Sequence, residues 1–167
     1  MKYVLIAVVV LALVYVLLRR PTPIRYRRLS AERLLKMVQV LYFRGFDGGE
    51  LLLRQDAVDH PTFRVVKQII ADNDVALHGD VVVRADSSEY EKIKRELDAH
   101  FPGYQAHDPR SAELTRTFHM AFGNDLAGVC RVARVIFENA LGVSIERDCH
   151  VYFLNVSERN VRIGWTS

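Results

Sequence analysis

The feature that most constrains this chain is an unbroken apolar run over residues 3–18, from Tyr3 to Leu18. As an α-helix this run would rise about 24 Å, slightly less than the roughly 30 Å hydrocarbon core of a bilayer. Lys2 on one side and Arg19 with Arg20 on the other have side chains long enough to reach the headgroups and close the difference. The run therefore predicts a transmembrane anchor over residues 1–20.

A secretory signal that is cleaved off is the competing interpretation of the same run. Such a signal needs small residues directly before its cleavage site. The sequence Leu17-Leu18-Arg19-Arg20-Pro21 has no A-x-A pattern. We therefore predict an uncleaved anchor and keep the cleaved signal as the alternative.

Basic residues flank the run unequally, and this asymmetry predicts its orientation. Lys2 precedes the run, and five arginines follow it, namely Arg19, Arg20, Arg25, Arg27 and Arg28. Positively charged flanks favour the cytoplasmic side, so we expect the N-terminus outside and the C-terminal domain in the cytoplasm, with all six basic residues at the membrane interface. Because the rule is statistical, the opposite topology remains an alternative.

The net charge of +3 changes sign once the anchor is separated from the rest of the chain. Six of the 23 basic residues and none of the 20 acidic residues lie in residues 1–28, which leaves a net charge of −3 on the remainder. Proteins that bind nucleic acid carry a basic patch on the folded domain. The charge distribution therefore argues against a nucleic-acid partner.

The residues after the anchor divide into a short stalk and one domain. Pro21 and Pro23 cannot continue a helix and begin a basic stalk over residues 21–29. Residues 30–167 are enough for one domain with its own hydrophobic core.

Apolar periodicity and capping residues predict the elements of this domain. The predicted helices run from Ser30 to Arg44, from Asp59-His60-Pro61 to Asp72, from Ser87 or Ser88 to Phe101, from Asp108-Pro109 to Phe122, and from Asp125 to Leu141. The predicted strands are Glu50–Gln55, Val75–Leu77, Asp80–Ala85, Cys149–Val156 and Asn160–Thr166, with Tyr104–Pro109 as a loop and Ser157–Arg159 as a hairpin turn. This order predicts an α+β fold whose mainly antiparallel sheet is backed by amphipathic helices on one side.

Two clusters have the residue types of a metal or acid–base site. Asp56, Asp59 and His60 form the first, and His100 and His107 with Asp108 form the second. Helix capping explains Asp59, and an exposed loop explains the second cluster, so we predict no metal or cofactor site.

Catalysis by a thiol is not favoured by the two cysteines. Cys149 and His150 are neighbours on a predicted strand, and successive strand residues point to opposite faces. Cys130 lies among valines on a predicted helix, where a cysteine is usually a small buried apolar residue. His119 is interpreted as a helix-surface or core histidine.

Glycine-rich and catalytic motifs are also not informative. Gly48-Gly49 lacks the following helix with its Lys or Ser/Thr partner that a phosphate-binding loop requires, so we interpret it as a tight turn. No nucleophile elbow, zinc-protease, nucleotide or dinucleotide motif occurs in the sequence. We assign no catalytic residue.

These patterns predict a single-pass, membrane-anchored protein-interaction module that faces the cytoplasm, as an accessory subunit or assembly factor of a membrane protein complex. One alternative is a membrane-associated enzyme that uses dispersed residues such as Asp59, His60 and His107. A second alternative is a domain that senses a small ligand between its helices and its sheet.

Overall fold

The computed structural model describes residues 24–26, 30–55, 61–70, 74–107 and 114–156. Several predicted features lie outside these ranges: the anchor over residues 1–20, interface residues Lys2, Arg19, Arg20, Arg27 and Arg28, the cluster of Asp56, Asp59 and His60, the helix start at Asp108-Pro109, and the hairpin and strand over 157–166. Within the described ranges, none of the helices combines the length and the apolarity that crossing a bilayer requires.

Seven strands and four helices make up the described part of the chain. The strands are β1 (Ile24–Tyr26), β2 (Glu50–Gln55), β3 (Thr62–Ile69), β4 (Val75–Arg84), β5 (Gln105–His107), β6 (Thr115–Gly123) and β7 (Cys149–Leu154). The helices are α1 (Ala31–Arg44), α2 (Ser88–His100), α3 (Leu126–Arg134), which continues as a π-helical segment over Val135–Ala140, and α4 (Ile145–Asp148).

The strands form one sheet in the order β1-β7-β2-β3-β4-β6-β5. Every pairing between neighbours in this sheet is antiparallel. The central strands β2, β3 and β4 follow one another as a meander, whereas β5 and β7 come after helices. The predicted α+β fold with an antiparallel sheet and helices is confirmed.

Alternating side chains divide the sheet into a core face and an open face. In β3, Phe63 and Val65 are fully buried, whereas Arg64 and Val66 on the other face are partly exposed. All four helices contribute buried side chains to the core cluster that includes Phe63 and Val65. The open face is the opposite face of the sheet, and no helix of the described ranges belongs to it. Its residues include Glu50, Leu52, Arg54, Arg64, Val66, His78, Asp80, Val82, Thr117, His119 and Tyr152.

The first helix, α1, is held at both ends by side chains. Ser30 caps its N-terminus and accepts a hydrogen bond from the Arg33 N–H at 3.2 Å, as predicted. At its C-terminus, Lys67 Nζ donates to the Gly45 carbonyl at 2.7 Å, although Lys67 is only 5% exposed. Burial lowers the pKa of Lys67, and the nearby Asp47 carboxylate opposes this effect. Lys67 therefore connects the end of α1 to β3.

The predicted helix from Asp59 to Asp72 is wrong in its described part, because Thr62–Ile69 forms β3. Phe63, Val66 and Ile69 have helical spacing, but Phe63 and Val65 also fit the period of two of a strand. β-Branched residues such as Val65 pack well on a sheet. In the fold this strand pairs on both sides, with β2 and with β4.

The predicted helix from Asp108 to Phe122 is also wrong where it is described, because Thr115–Gly123 forms β6. Phe118 and Met120 alternate towards the core, whereas Leu114 before the strand is 83% exposed. The predicted loop over Tyr104–Pro109 contains β5, which pairs with β6 at the edge of the sheet. Neither strand was predicted.

The two short strands expected around His78-Gly79 are a single strand, β4. Its pairing with β6 shifts register between Leu77 and His78, as in a β-bulge. Gly79 points into the core, where a Cβ atom would lie 2.5 Å from the Phe122 ring and 3.0 Å from the Phe63 ring. The absence of a side chain at Gly79 therefore lets these two rings approach, with centroids 6.3 Å apart.

Other predicted elements are confirmed. β2 covers Glu50–Gln55 as predicted, α2 begins after its cap Ser87, and β7 begins at Cys149. Asp125 caps α3 by accepting a hydrogen bond from the Gly128 N–H at 2.8 Å. The predicted extension to Leu141 is correct in length, but its last part is π-helical, and the short helix α4 was not predicted.

We expect Gly79→Ala to destabilise the domain by about 1–3 kcal/mol, because the new methyl group overlaps two aromatic rings of the core. Gly103→Ala is the matched control, since no atom lies within 4 Å of a Cβ at Gly103. Urea unfolding of both variants measures the difference. Equal stability of the two variants would contradict this account of Gly79.

Candidate functional site

A row of charged and polar side chains crosses the open face of the sheet. We call Glu50, Arg64, Asp80 and His119 the charged row. Arg64 on β3 stands directly opposite Asp80 on β4, and Asp80 stands opposite His119 on β6. Because directly paired strand residues have their side chains on the same face, the antiparallel register brings these groups together.

Arg64 is at the centre of the charged row and contacts carboxylates on both sides. Its Nε and Nη2 donate to the two Glu50 oxygens at 3.0 and 2.6 Å, which is a bidentate pair. Its Nη1 lies 3.8 Å from Asp80 Oδ2. The hydrogen bond to Glu50 raises the pKa of Arg64, partly opposed by desolvation, so the guanidinium is charged throughout the physiological range.

Asp80 and His119 form the second close pair of the row. His119 Nδ1 lies 2.6 Å from Asp80 Oδ1, and the His119 side chain is 50% exposed. A carboxylate on Nδ1 fixes the orientation of an imidazole ring and favours the tautomer with a proton on Nδ1. In that tautomer Nε2 is an acceptor, so His119 has the arrangement of a general base.

A cavity of about 180 Å³ lies beside this pair and is lined by His78, Asp80, Gly103, Gln105, His119, Met120 and Ala121. Within the described part of the chain, the buried Nε2 atom of His78 has no hydrogen-bond partner. Ligand pockets usually enclose about 300–1,000 Å³. This cavity alone therefore suits a water molecule or a small polar group rather than a whole metabolite.

A larger cleft of about 350 Å³ adjoins the cavity and shares Gly103, Met120 and Ala121 with it. Aromatic rings and a few polar groups line this cleft: Phe101, Tyr104, Phe122, His100, Asp125 and Arg131. Its volume is within the range of small-molecule sites.

Hydrogen bonds hold two walls of the cleft in place. Arg131 Nη2 donates to Asp125 Oδ2 at 2.8 Å. The Tyr104 hydroxyl donates to Asp98 Oδ1 at 2.6 Å, and burial together with this bond raises the pKa of Tyr104 to about 12. Tyr104 is therefore a neutral hydrogen-bond donor at physiological pH and does not act as a base there.

The structure separates the histidines that the sequence placed in one cluster. His100 lies on the last turn of α2 and lines the cleft, whereas His107 lies on β5 with its ring centroid 6.3 Å from that of His119. The first predicted cluster, with Asp56, Asp59 and His60, lies outside the described residues, and so does Asp108.

Metal binding has no complete ligand set in the ranges that the structure describes. Across 30–55, 61–70, 74–107 and 114–156, no three or more His, Cys, Asp or Glu side chains converge as a metal site would need. Asp80 and His119 could therefore supply two metal ligands, but no third ligand lies with them among these residues.

The two thiols are poorly placed for nucleophilic chemistry. Cys149 faces the core and is fully buried, whereas His150 lies on the opposite face of β7, as the alternation of strand residues predicts. Burial raises the pKa of Cys130 to about 11 and that of Cys149 to about 12. Both are thiols rather than thiolates at neutral pH.

The charged row was missed in the sequence because β3 and β6 were interpreted as helices. Arg64 and His119 lie on these two strands, and Asp80 and His119 are 39 positions apart. Alternation of apolar and polar residues along Thr117–Ala121 was the available signal for a strand with His119 on its outer face.

Comparisons of this chain with protein-family models, with curated proteins and with solved structures find no match in any of the three. The function of this chain is therefore inferred from the geometry of the described residues.

We expect a double-mutant cycle of Asp80→Ala and His119→Ala to give a coupling free energy of about 0.5 kcal/mol, because the pair is short but half-exposed. The control cycle pairs His119→Ala with Glu50→Ala, which share no hydrogen bond, and should give a coupling near zero. Equal coupling in the two cycles would show that Asp80 does not position His119.

We expect iodoacetamide to modify both native cysteines slowly at pH 7.5 and rapidly after denaturation. A thiol with a pKa of about 11 contains roughly 100-fold less thiolate at this pH than one at 9.0. The rate should rise as the pH approaches 10, because the thiolate fraction grows towards the raised pKa. Modification of the native protein at the rate of a free thiol would contradict the burial of Cys130 and Cys149.

Proposed function

We propose that this chain is a single-pass, membrane-anchored protein-interaction module that faces the cytoplasm and serves as an accessory subunit or assembly factor of a membrane protein complex. Residues 3–18 would hold it in the bilayer, and the open face of the sheet would bind the protein partner. The observation that carries this proposal is the charged row on a sheet face to which no helix of the described ranges belongs.

The composition of the open face suits a protein partner. Partly buried Leu52, Val66 and Val82 surround Arg64, so the charged row lies among apolar side chains rather than in a purely polar surface. At one side of this face, the Arg54 guanidinium lies 4.6 Å from the centre of the Tyr152 ring. Protein interfaces are enriched in arginine and tyrosine, and they combine an apolar centre with polar groups.

The proposed anchor would also allow a weak interaction to hold a membrane partner, because it keeps the domain close to the bilayer. Five residues, 19–23, separate the apolar run from Ile24 at the start of β1. Fully extended, they span at most about 18 Å. A domain held this close to the bilayer meets membrane proteins at a high effective concentration.

The cavity beside His119, together with the adjoining cleft, supports a second candidate function. Asp80 orients His119 at one end, His78 has an unpartnered buried nitrogen among the described residues, and the adjoining cleft is large enough for a small molecule. A membrane-associated acid–base enzyme or a small-ligand sensor would use this arrangement. This candidate expects His119→Gln to abolish function while the domain stays folded and anchored.

We expect a photo-crosslinking amino acid on the open face to capture one discrete membrane protein in native membranes. Positions Arg54 and Thr117 lie on this face, and position Arg95 on the exposed surface of α2 is the control. The same partner should be captured from both open-face positions and not from position 95.

Capture of the same proteins from all three positions would contradict binding through the open face. If cells need the protein for growth but no crosslink forms from any position, the result would contradict a protein partner on the open face. It would favour the second candidate function, an enzyme or a sensor that binds a small molecule. Mass spectrometry of the crosslinked product identifies the partner.

A further inference from the structure

Four large apolar side chains are exposed at one end of the fold. Phe43 and Phe46, at and just after the end of α1, are 69% and 60% exposed, and Ile69 and Ile70, at the end of β3, are 41% and 50% exposed. We call these four residues the end patch. Large exposed apolar side chains grouped at one end of a folded domain often mark a site of protein or membrane contact.

Hydrogen bonds bring the two halves of the end patch together. The turn after α1 lies against the end of β3, where Gly48 N donates to the Lys67 carbonyl and Lys67 N donates to the Gly49 carbonyl, both at 2.9 Å. Asp47 Oδ1 accepts a hydrogen bond from Ile69 N at 2.8 Å. The residue that follows Phe46 therefore binds the backbone of Ile69 directly.

The end patch lies at the end of the sheet where the chain enters the domain. Ile24, the first residue of β1, pairs with Phe153 of β7, and Phe153 also pairs with Leu51 near the start of β2. Asn155, just beyond β7, donates from Nδ2 to the Gly48 carbonyl at 3.3 Å. The first residue of β1 and the turn that carries Phe46 are thus at the same end of the sheet.

We propose that the end patch docks into the headgroup region of the bilayer that holds residues 3–18. This proposal rests on the anchoring proposed above and adds the orientation of the domain. The five residues between the apolar run and Ile24 reach at most about 18 Å, which keeps this end of the sheet next to the membrane surface. Apolar side chains at such a position can insert into the boundary between headgroups and acyl chains.

The charged groups nearest the end patch carry no net positive charge, so apolar insertion is its main contribution to docking. Arg44 is exposed on the last turn of α1, and the carboxylates of Asp47 and Asp74 lie on the neighbouring turns. Electrostatic attraction to anionic lipids would come from Arg19 and Arg20, which directly follow the apolar run.

Docking of the end patch would determine the orientation of the candidate site relative to the membrane. The strands would stand upright on the membrane, with Gly123 at the lower end of β6. His119 lies four residues along the strand from Gly123, at roughly 13 Å. A partner on the open face would therefore approach sideways, close to the bilayer, as a membrane protein does.

The test uses the full-length protein in vesicles of phosphatidylcholine and phosphatidylglycerol at about 3:1. The phosphatidylglycerol gives the vesicle surface the negative charge of an anionic leaflet. Phe46→Cys carries an environment-sensitive fluorophore in the end patch. Leu114→Cys is the matched control, because Leu114 is 83% exposed and precedes the residue paired with Arg84 at the far end of the sheet. The native thiols are expected to react only slowly at neutral pH, because burial raises their pKa values.

We expect lipids with a nitroxide near the headgroup to quench the label at position 46 by roughly twofold or more, and to leave the label at position 114 unchanged. Equal quenching at both positions, in protein that resists carbonate extraction, would overturn docking and leave the anchor intact. A label at position 46 that is protected from quenching by aqueous iodide but is not quenched by the nitroxide lipids would overturn docking to the bilayer. It would indicate that a protein, here a second copy of the chain, covers the end patch. Release of the protein by carbonate would overturn the anchoring itself.

Discussion

Antiparallel pairing with a period of two is the constraint on which the rest of this structure depends. It directs Phe63 and Phe118 into the core beneath the helices and, from the same strands, directs Arg64 and His119 to the open face. A shift of one residue in β3 would bury Arg64 and expose Phe63. The core and the charged row are therefore consequences of a single register, and neither can change without the other.

Chain entry at one end of this sheet connects the fold to the proposed function. Pairing of β1 with β7 puts Ile24 at the same end of the sheet as the turn that carries Phe46. A domain tethered at this end would present its helices and its open face along the membrane plane rather than away from it. Lys67 contributes to this arrangement, because its buried amine holds the end of α1 against β3.

Elements with capping residues and unambiguous periods could be predicted from the sequence, whereas segments whose spacing fits both a helix and a strand could not. Ser30, Ser87 and Asp125 mark helix starts that the structure confirms. The segment Thr62–Ile69 satisfies both helical and strand spacing, and only its pairing with two neighbouring strands decides between them. The candidate site was missed for the same reason, since Asp80 and His119 meet only through the β4–β6 register.

Alkaline carbonate extraction of membranes from cells that produce the full-length chain tests the central claim most directly. The chain should stay in the membrane pellet, with a tag after Ser167 accessible only from the cytoplasmic side. A matched variant with Val9→Asp and Leu13→Asp should move to the supernatant, because carboxylates in the apolar run are costly in the hydrocarbon core. Recovery of the unaltered chain in the soluble fraction would contradict the account.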